Sequence, residues 1–282
     1  MRLTLAEPRG FCSGVNRAIN ILNQVVKDED GPVYVYHEIV HNSWVVRDFN
    51  RRGVVFVDSL DSVPDNAVLL FSAHGVSPEI RNLAAQRKLR TIDATCPRVH
   101  YVHKQMRKLA DQGYHIIYIG MAGHDEVVGS LGEAPDASTL VSNLEDVEKL
   151  RLPPEQKLAY LMQTTLAATE AEKIVNALRQ KFPKIKEPDR AGICDATQLR
   201  QDAVRKLAPG HDIVLVVGSP NSSNSQHLAE VARSVGVPAY LIDGVEDIPW
   251  GKLTPDSAVL LTSGASAPDA ILQTCAQFLS DV

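Results

Sequence analysis

Three of the four cysteines stand where a thiol can do chemistry. Cys12 lies in "EPRGFCSGVNRAINIL", Cys96 in "DATCPRV" and Cys194 in "ICDATQLR", and a helix-like pattern follows each at once. The dipole and free N–H groups of a helix N-terminus favour a thiolate. Such a thiol can bind metal or attack a substrate; buried, it simply packs. Cys275, in "DAILQTCAQFL", lies outside this pattern on an amphipathic helix and reads as core. Three thiols at equivalent positions favour a shared metal centre. Zinc with three Cys takes a fourth ligand or keeps one position open. A four-iron cluster normally takes four Cys, so three leave one iron open as a Lewis acid. The cysteines are dispersed, not paired as C-x-x-C, which disfavours a zinc ribbon.

The polar loops supply the second set of groups. They are "HEIVHN" with His41, "SAHGVSP" with His74, "GHDEV" with His124 and Glu126, "QTTL" with Thr164, "SPNSSNS" with Ser222, Ser223 and Asn224, and "SGASAPD" with Ser266. Cys12 and His41 are 29 positions apart, Cys96 and His124 28, Cys194 and Ser222 28. The histidines suit either a second metal or an anion. Loops of hydroxyls, amides and glycine favour the anion, because Ser and Asn at a helix N-terminus cradle phosphate. The plain alternative for these serines is helix capping. A carboxylate beside an anion site resists ionising, so Glu126 suits a proton donor; otherwise it is an exposed Glu in a first helical turn. Thr164 passes or fixes that proton, or caps a helix. The "HDE" triplet also fits part of a zinc deaminase signature, but Cys96-Pro97 lies upstream in the wrong order, which rejects that reading.

The elements that carry these residues repeat. Apolar residues at Val15, Ala18, Ile19, Leu22, Val25 and Val26 follow Cys12 with helical spacing. Val99, Val102, Met106 and Leu109 do so after Cys96, with Pro97 opening and Gly113 closing the helix. Leu199, Ala203 and Leu207 do so after Cys194. Strand-like runs "PVYVYHEIV", "HIIYIGM" and "DIVLVVG" lead to the first loop of each unit, and "AVLLF", "KLAYLM" and "AVLLT" to the second. The unit is Cys, helix, strand, polar loop, helix, strand, polar loop, three times over. It predicts an α/β fold of three small lobes with mainly parallel sheets, at 1–96, 97–193 (with Cys96 at its start) and 194–282. Ligands then bind beyond the carboxyl ends of the strands.

The bulk composition narrows the classes. The chain has 282 residues, 44% hydrophobic and 22% charged, with a net charge of −5. That charge argues against non-specific nucleic-acid binding. No apolar run has the length of a membrane span, and "MRLTLAEPRG" lacks a signal-peptide pattern, so a cytoplasmic protein is expected.

Together "PRGFCSGVNRA", "HEIVHN", "SAHGVSP", "DATCPRV", "GHDEVVG", "QTTL", "GSPNSSNS" and "TSGASAPD" resemble the 4-hydroxy-3-methylbut-2-enyl diphosphate reductase (LytB) family from near residue 7 to near residue 270. The resemblance implies a trefoil of three α/β lobes around a central [4Fe-4S] cluster held by Cys12, Cys96 and Cys194, with one open iron. It implies His41, His74, His124, Ser222, Ser223, Asn224 and Ser266 around a small allylic diphosphate. It implies Glu126 as proton source, Thr164 near the substrate's hydroxyl, and a ferredoxin or flavodoxin-type electron donor. The reaction implied is reductive dehydroxylation to isopentenyl and dimethylallyl diphosphate. Other readings of the same residues are a zinc-dependent hydrolase using His41, His74, His124 and Glu126, and a non-catalytic iron–sulfur redox sensor. Ser13, Asn16, Ser43-Trp44, Arg98, Asp125, Asp195 and Leu199 depart from the family pattern. An extra carboxylate at Asp195, if near the cluster, makes reduction harder.

Overall fold

The computed structural model describes residues 1–188 and 192–281. In chain order the first elements are β1 (Arg2–Leu5), α1 (Ser13–Asp28), β2 (Val33–Tyr36), α2 (Ser43–Arg51), β3 (Val54–Val57), β4 (Val68–Phe71), α3 (Pro78–Gln86) and β5 (Arg90–Asp93). Then come α4 (Pro97–Asp111), β6 (His115–Ile119), α5 (Asp125–Leu131), β7 (Ser138–Val141), α6 (Leu144–Lys149), β8 (Leu158–Met162) and α7 (Ala168–Lys181). The last are α8 (Asp195–Leu207), β9 (Ile213–Val217), α9 (Ser223–Ser234), β10 (Ala239–Ile242), β11 (Ala258–Ser263) and α10 (Asp269–Ser280). The chain divides into two compact units. Met1–Asn16, Val40–Asp48 and Asp195–Val282 form the first; Arg17–Ile39 and Phe49–Cys194 form the second.

The first unit holds one parallel sheet, ordered β10-β9-β11-β1. Its central strands are apolar throughout because helices cover both faces. Val214 and Val216 of β9 pack with Val204, Leu228 and Ala232. The alternate residues Ile213, Leu215 and Val217 pack with Leu272, Cys275 and Leu279 of α10. Cys275 is therefore core, as expected, and burial pushes its thiol up to about 11.

The second unit holds two parallel sheets, ordered β3-β2-β4-β5 and β7-β6-β8. The same alternation covers both faces of the latter. Ile116 and Tyr118 meet Val102, Met106 and Leu109 of α4, while Ile117 and Ile119 meet Ile174, Val175 and Leu178 of α7. Beyond β8, Lys186 forms a parallel bridge to Ala159.

The three sheets therefore share one strand order, and the outer strand beside β4, β8 or β11 leads to a cysteine: β5 to Cys96, Lys186 to Cys194, β1 to Cys12. β1, expected in a lobe spanning 1–96, pairs instead with β11 in the sheet of the 194–282 stretch. A parallel partner needs no local turn, so the chain start can close a sheet built from the far end. The strands β2, β4, β6, β8, β9 and β11 match the predicted runs. The four-residue strands β1, β3, β5, β7 and β10 do not appear in the sequence pattern.

The buried face of α8 also differs from expectation. Leu199 is 57% exposed, and Thr197, Arg200, Gln201 and Val204 point inward. A polar inward face on an amphipathic helix marks a surface shaped by something other than core packing.

Candidate active site

All three helix-start cysteines are where the pattern predicts. Cys12 immediately precedes α1, Cys96 is the N-cap of α4, and Cys194 immediately precedes α8. Each is partly exposed. The Val15 N–H donates to Cys12 Sγ at 3.5 Å. One backbone bond ties each cysteine to a polar loop. The Cys12 N–H donates to the Ala265 carbonyl at 3.0 Å, one residue before Ser266. The Cys96 N–H donates to the Ala73 carbonyl at 2.9 Å, one residue before His74. The Cys194 N–H donates to the carbonyl of Thr164 itself at 2.9 Å.

In the first unit, the loops after β9 and β11 meet at α9. Ser222 is the N-cap, and its Oγ accepts from the Ser225 N–H. Ser225 sits between Gly218 and Gly264: a Cβ on either glycine would collide with its hydroxyl. Both glycines are thus needed to bring the helix start against the strand ends. Ser222 Oγ lies 3.3 Å from Ser266 Oγ, which donates to the His41 carbonyl at 3.0 Å. Asn224 is only 4% exposed, yet both its amide N and O lack a hydrogen-bond partner. Leaving such a group unsatisfied costs about 1–3 kcal/mol, which a polar ligand would recover.

The His41 loop is pinned through Ser219 and Asp243, which the sequence did not single out. The Ser43 N–H donates to Ser219 Oγ at 2.8 Å, and Ser219 donates to Asp243 at 2.6 Å. Ser43 Oγ also bonds Asp243, and the Trp44 indole donates to the Asp243 carbonyl at 2.6 Å. Asp243 is thus the acceptor for both Ser43 and Trp44. Asp243 follows a short edge strand with no motif around it, so no sequence signal marked it.

In the second unit, Glu126 is 2% exposed, which excludes the plain exposed-Glu alternative. Its Oε1 accepts the Thr164 N–H at 2.7 Å and its Oε2 accepts the Thr164 hydroxyl at 2.8 Å. Thr164 caps no helix; α7 starts four residues later with Ala167 as N-cap. His124 is the N-cap of α5, and its Nδ1 accepts the Glu126 N–H at 3.1 Å. An accepting Nδ1 puts the proton of a neutral ring on Nε2, so this nitrogen is the donor. The rings of His74 and His124 meet edge to face, 5.8 Å between centroids. His74 Nδ1 lies 3.8 Å from Asp125, whose other oxygen lies 3.8 Å from His37 Nε2.

An ionic cluster around the buried Glu133 supports the His74 loop. Gly75 has φ +76, and a Cβ there would lie 2.9 Å from His103 Cε1, so this turn requires glycine. His103 Nδ1 contacts Glu133 at 3.0 Å, and Arg81 joins Glu133 at 2.5 Å to the Val76 carbonyl at 2.7 Å. Arg107 completes the cluster on the other oxygen of Glu133. Burial alone would raise the Glu133 carboxyl, but bonds from His103, Arg81 and Arg107 outweigh it and hold it at about 2. Its contribution to stability, on the order of 3 kcal/mol, is therefore present above the ordinary carboxylate range and lost as pH falls from about 4.5 through about 2. Glu133→Gln should flatten this acid limb in urea titrations at pH 3–7. An unchanged pH slope would show that Glu133 carries no such coupling.

Among the described residues, no helix is long and apolar enough to cross a membrane. Parallel sheets covered on both faces, with polar loops at the strand ends, place the chain among the α/β proteins that take small ligands at those ends. The family model described as LytB protein matches residues 3–280, and the chain belongs to that family. It is 50% identical to the 4-hydroxy-3-methylbut-2-enyl diphosphate reductase of Rhodopirellula baltica over 281 residues, covering 100% of this chain and 88% of that protein. The reductase of Nitrosomonas europaea is 47% identical over 285 residues, with 100% and 88% covered. The solved structure of the E-1-hydroxy-2-methyl-but-2-enyl-4-diphosphate reductase from Plasmodium falciparum superposes with a TM-score of 0.97 at 41% identity, covering 99% of this chain and 88% of that one. A structure described as (E)-4-hydroxy-3-methyl-but-2-enyl diphosphate reductase, the terminal enzyme of the non-mevalonate pathway, gives 0.70 at 28% identity, with both chains fully covered.

Proposed function

We propose that this chain is an oxidoreductase that converts 4-hydroxy-3-methylbut-2-enyl diphosphate to isopentenyl and dimethylallyl diphosphate. The allylic C–O bond breaks, two electrons and two protons are consumed, water leaves, and a C–H bond forms. The observation that carries this reading is the set of three backbone bonds tying Cys12, Cys96 and Cys194 to the loops of Ser266, His74 and Thr164. They join each candidate metal ligand to a loop of candidate substrate contacts.

Three partly exposed thiols at helix starts have the donor chemistry of a [4Fe-4S] cluster with one open iron, and we assign Cys12, Cys96 and Cys194 to it. When bound, the cluster supplies electrons and a Lewis acid for the substrate's hydroxyl. The chain's own residues do the rest. Asn224, Ser222, Ser223 and Ser266 surround the diphosphate, and the orphaned Asn224 amide gains a partner. His41, His74 and His124 line the substrate, His124 through its Nε2–H. Glu126 holds the proton, and the Thr164 hydroxyl 2.8 Å away fixes that carboxyl near the substrate's hydroxyl end. A ferredoxin or flavodoxin-type donor in the cytoplasm completes the reaction.

Anaerobically purified protein should be brown, with iron and sulfide near the ratio of a four-iron cluster. It should oxidise an artificial reductant over repeated turnovers only when the hydroxymethylbutenyl diphosphate is present. Colourless, zinc-loaded protein that hydrolyses phosphate esters without reductant, and is indifferent to Cys194→Ser, would establish the hydrolase instead. A cluster without turnover on any allylic diphosphate would establish the redox sensor.

A further inference from the structure

Three arginines hold the turns that lead into the three cysteines. Arg17 of α1 donates through Nη1 to the Thr95 carbonyl at 3.1 Å, one residue before Cys96. Arg98 of α4 donates through Nη2 to the Ile193 carbonyl at 3.2 Å, one residue before Cys194. Arg200 of α8 donates through Nη2 to the Gly10 carbonyl at 2.7 Å, two residues before Cys12, and through Nη1 to the Ala196 carbonyl at 2.9 Å. In each case the helix that follows one cysteine sends a guanidinium to the approach of another.

We infer that Arg17, Arg98 and Arg200 are positioning residues for the cysteines: each holds the backbone entering one thiol and fixes a positive charge beside it. The inference rests on the cluster reading proposed above. A guanidinium bonded to the carbonyl of the residue before a cysteine lies within roughly 10 Å of the thiol by covalent reach, about the screening length of ordinary buffer; the Arg200 contact is one residue farther along the chain. Arginine keeps its charge at every working pH. Three thiolates give a bound cluster a net negative charge, and reduction adds another. A fixed cation nearby favours both the bound and the reduced state. Arg200, 2% exposed, is screened least; Arg17 is exposed and acts most weakly. Arg98 has an opponent in the chain: Asp195 directly follows Cys194 and brings a carboxylate to the same turn.

Redox titration monitored by the electron paramagnetic signal of the reduced cluster tests this without recourse to turnover. At a fixed applied potential, Arg98→Leu should lower the reduced-to-oxidised ratio about tenfold, equivalent to about 59 mV for a one-electron couple. Asp195→Asn should move it the opposite way, and Arg98→Lys, which keeps the charge, should stay within about threefold of the parent. A thermal shift in Arg98→Leu with an unmoved potential would reduce the arginine to an ordinary structural contact and overturn the inference. If Arg98→Leu holds no cluster, the sign of the Asp195→Asn shift decides: an unmoved or lowered potential overturns the inference. Absence of a cluster from the parent protein would instead overturn the reading on which the inference rests.

Discussion

Glu126→Gln should lower turnover by about 10²–10⁴-fold while leaving iron content and substrate affinity within about threefold of the parent. The size follows from what the substitution removes. Glu126 is buried, and both of its oxygens are held by one residue, through the Thr164 N–H and hydroxyl. Glutamine has the same shape. Its carbonyl still accepts the Thr164 N–H, and its amide donates to the hydroxyl in place of accepting from it. The pocket therefore survives, but the amide cannot release a proton as the carboxyl does. Single-turnover reduction with excess dithionite, alongside titration of substrate into the oxidised enzyme, separates the two effects. Near-parental turnover would remove Glu126 from the proton role and move attention to His124 and His74. A collapse in affinity matching the loss of rate would make Glu126 a binding residue.

Cys96→Ser should abolish the cluster, with iron falling to a small fraction of the parent value and the visible absorption disappearing. A serine hydroxyl is a far weaker iron ligand than a thiolate. Cys96 is the N-cap of α4 and its side chain makes no capping bond, whereas serine is among the best N-caps. The substituted chain should hence unfold at or slightly above the temperature of the metal-free parent, so loss of iron would not reflect loss of fold. Cys275→Ser is the matching control: the thiol lies in the core beside Leu272 and Leu279, and the variant should lose stability but keep its iron. A full iron complement in Cys96→Ser would count against ligation by that residue.

The sequence carried most of what a repeat can carry. The three helix-start cysteines, the six loop-bearing strands and the core role of Cys275 were legible because each rests on local periodicity: 3.6 along a helix, or an unbroken apolar run in a strand covered on both faces. Glu126 and Thr164 were legible as candidates, but not as partners. They are 38 positions apart, and only the ends of β6 and β8, side by side in one sheet, bring the carboxylate onto the threonine.

Other features have no local signal at all. The edge strands are four residues long, and β5 is mostly exposed, so their identity comes from the neighbour they pair with. α8 reads as an ordinary amphipathic helix with Leu199 inward, yet it buries Arg200 and Gln201 and exposes Leu199. Asp243, Glu133 and His103 sit in unremarkable sequence and acquire their roles from groups far along the chain. The amino-acid sequence by itself determined which residues have the chemistry and at what intervals they recur, because helix and strand periods are set by the backbone within a few residues. The tertiary structure alone decided the rest: that β1 closes the sheet of β9–β11, that an arginine stands at the approach to each cysteine, and that Asn224 is left with its amide unsatisfied. Those outcomes depend on parallel pairing and burial between distant segments, which local propensity does not encode.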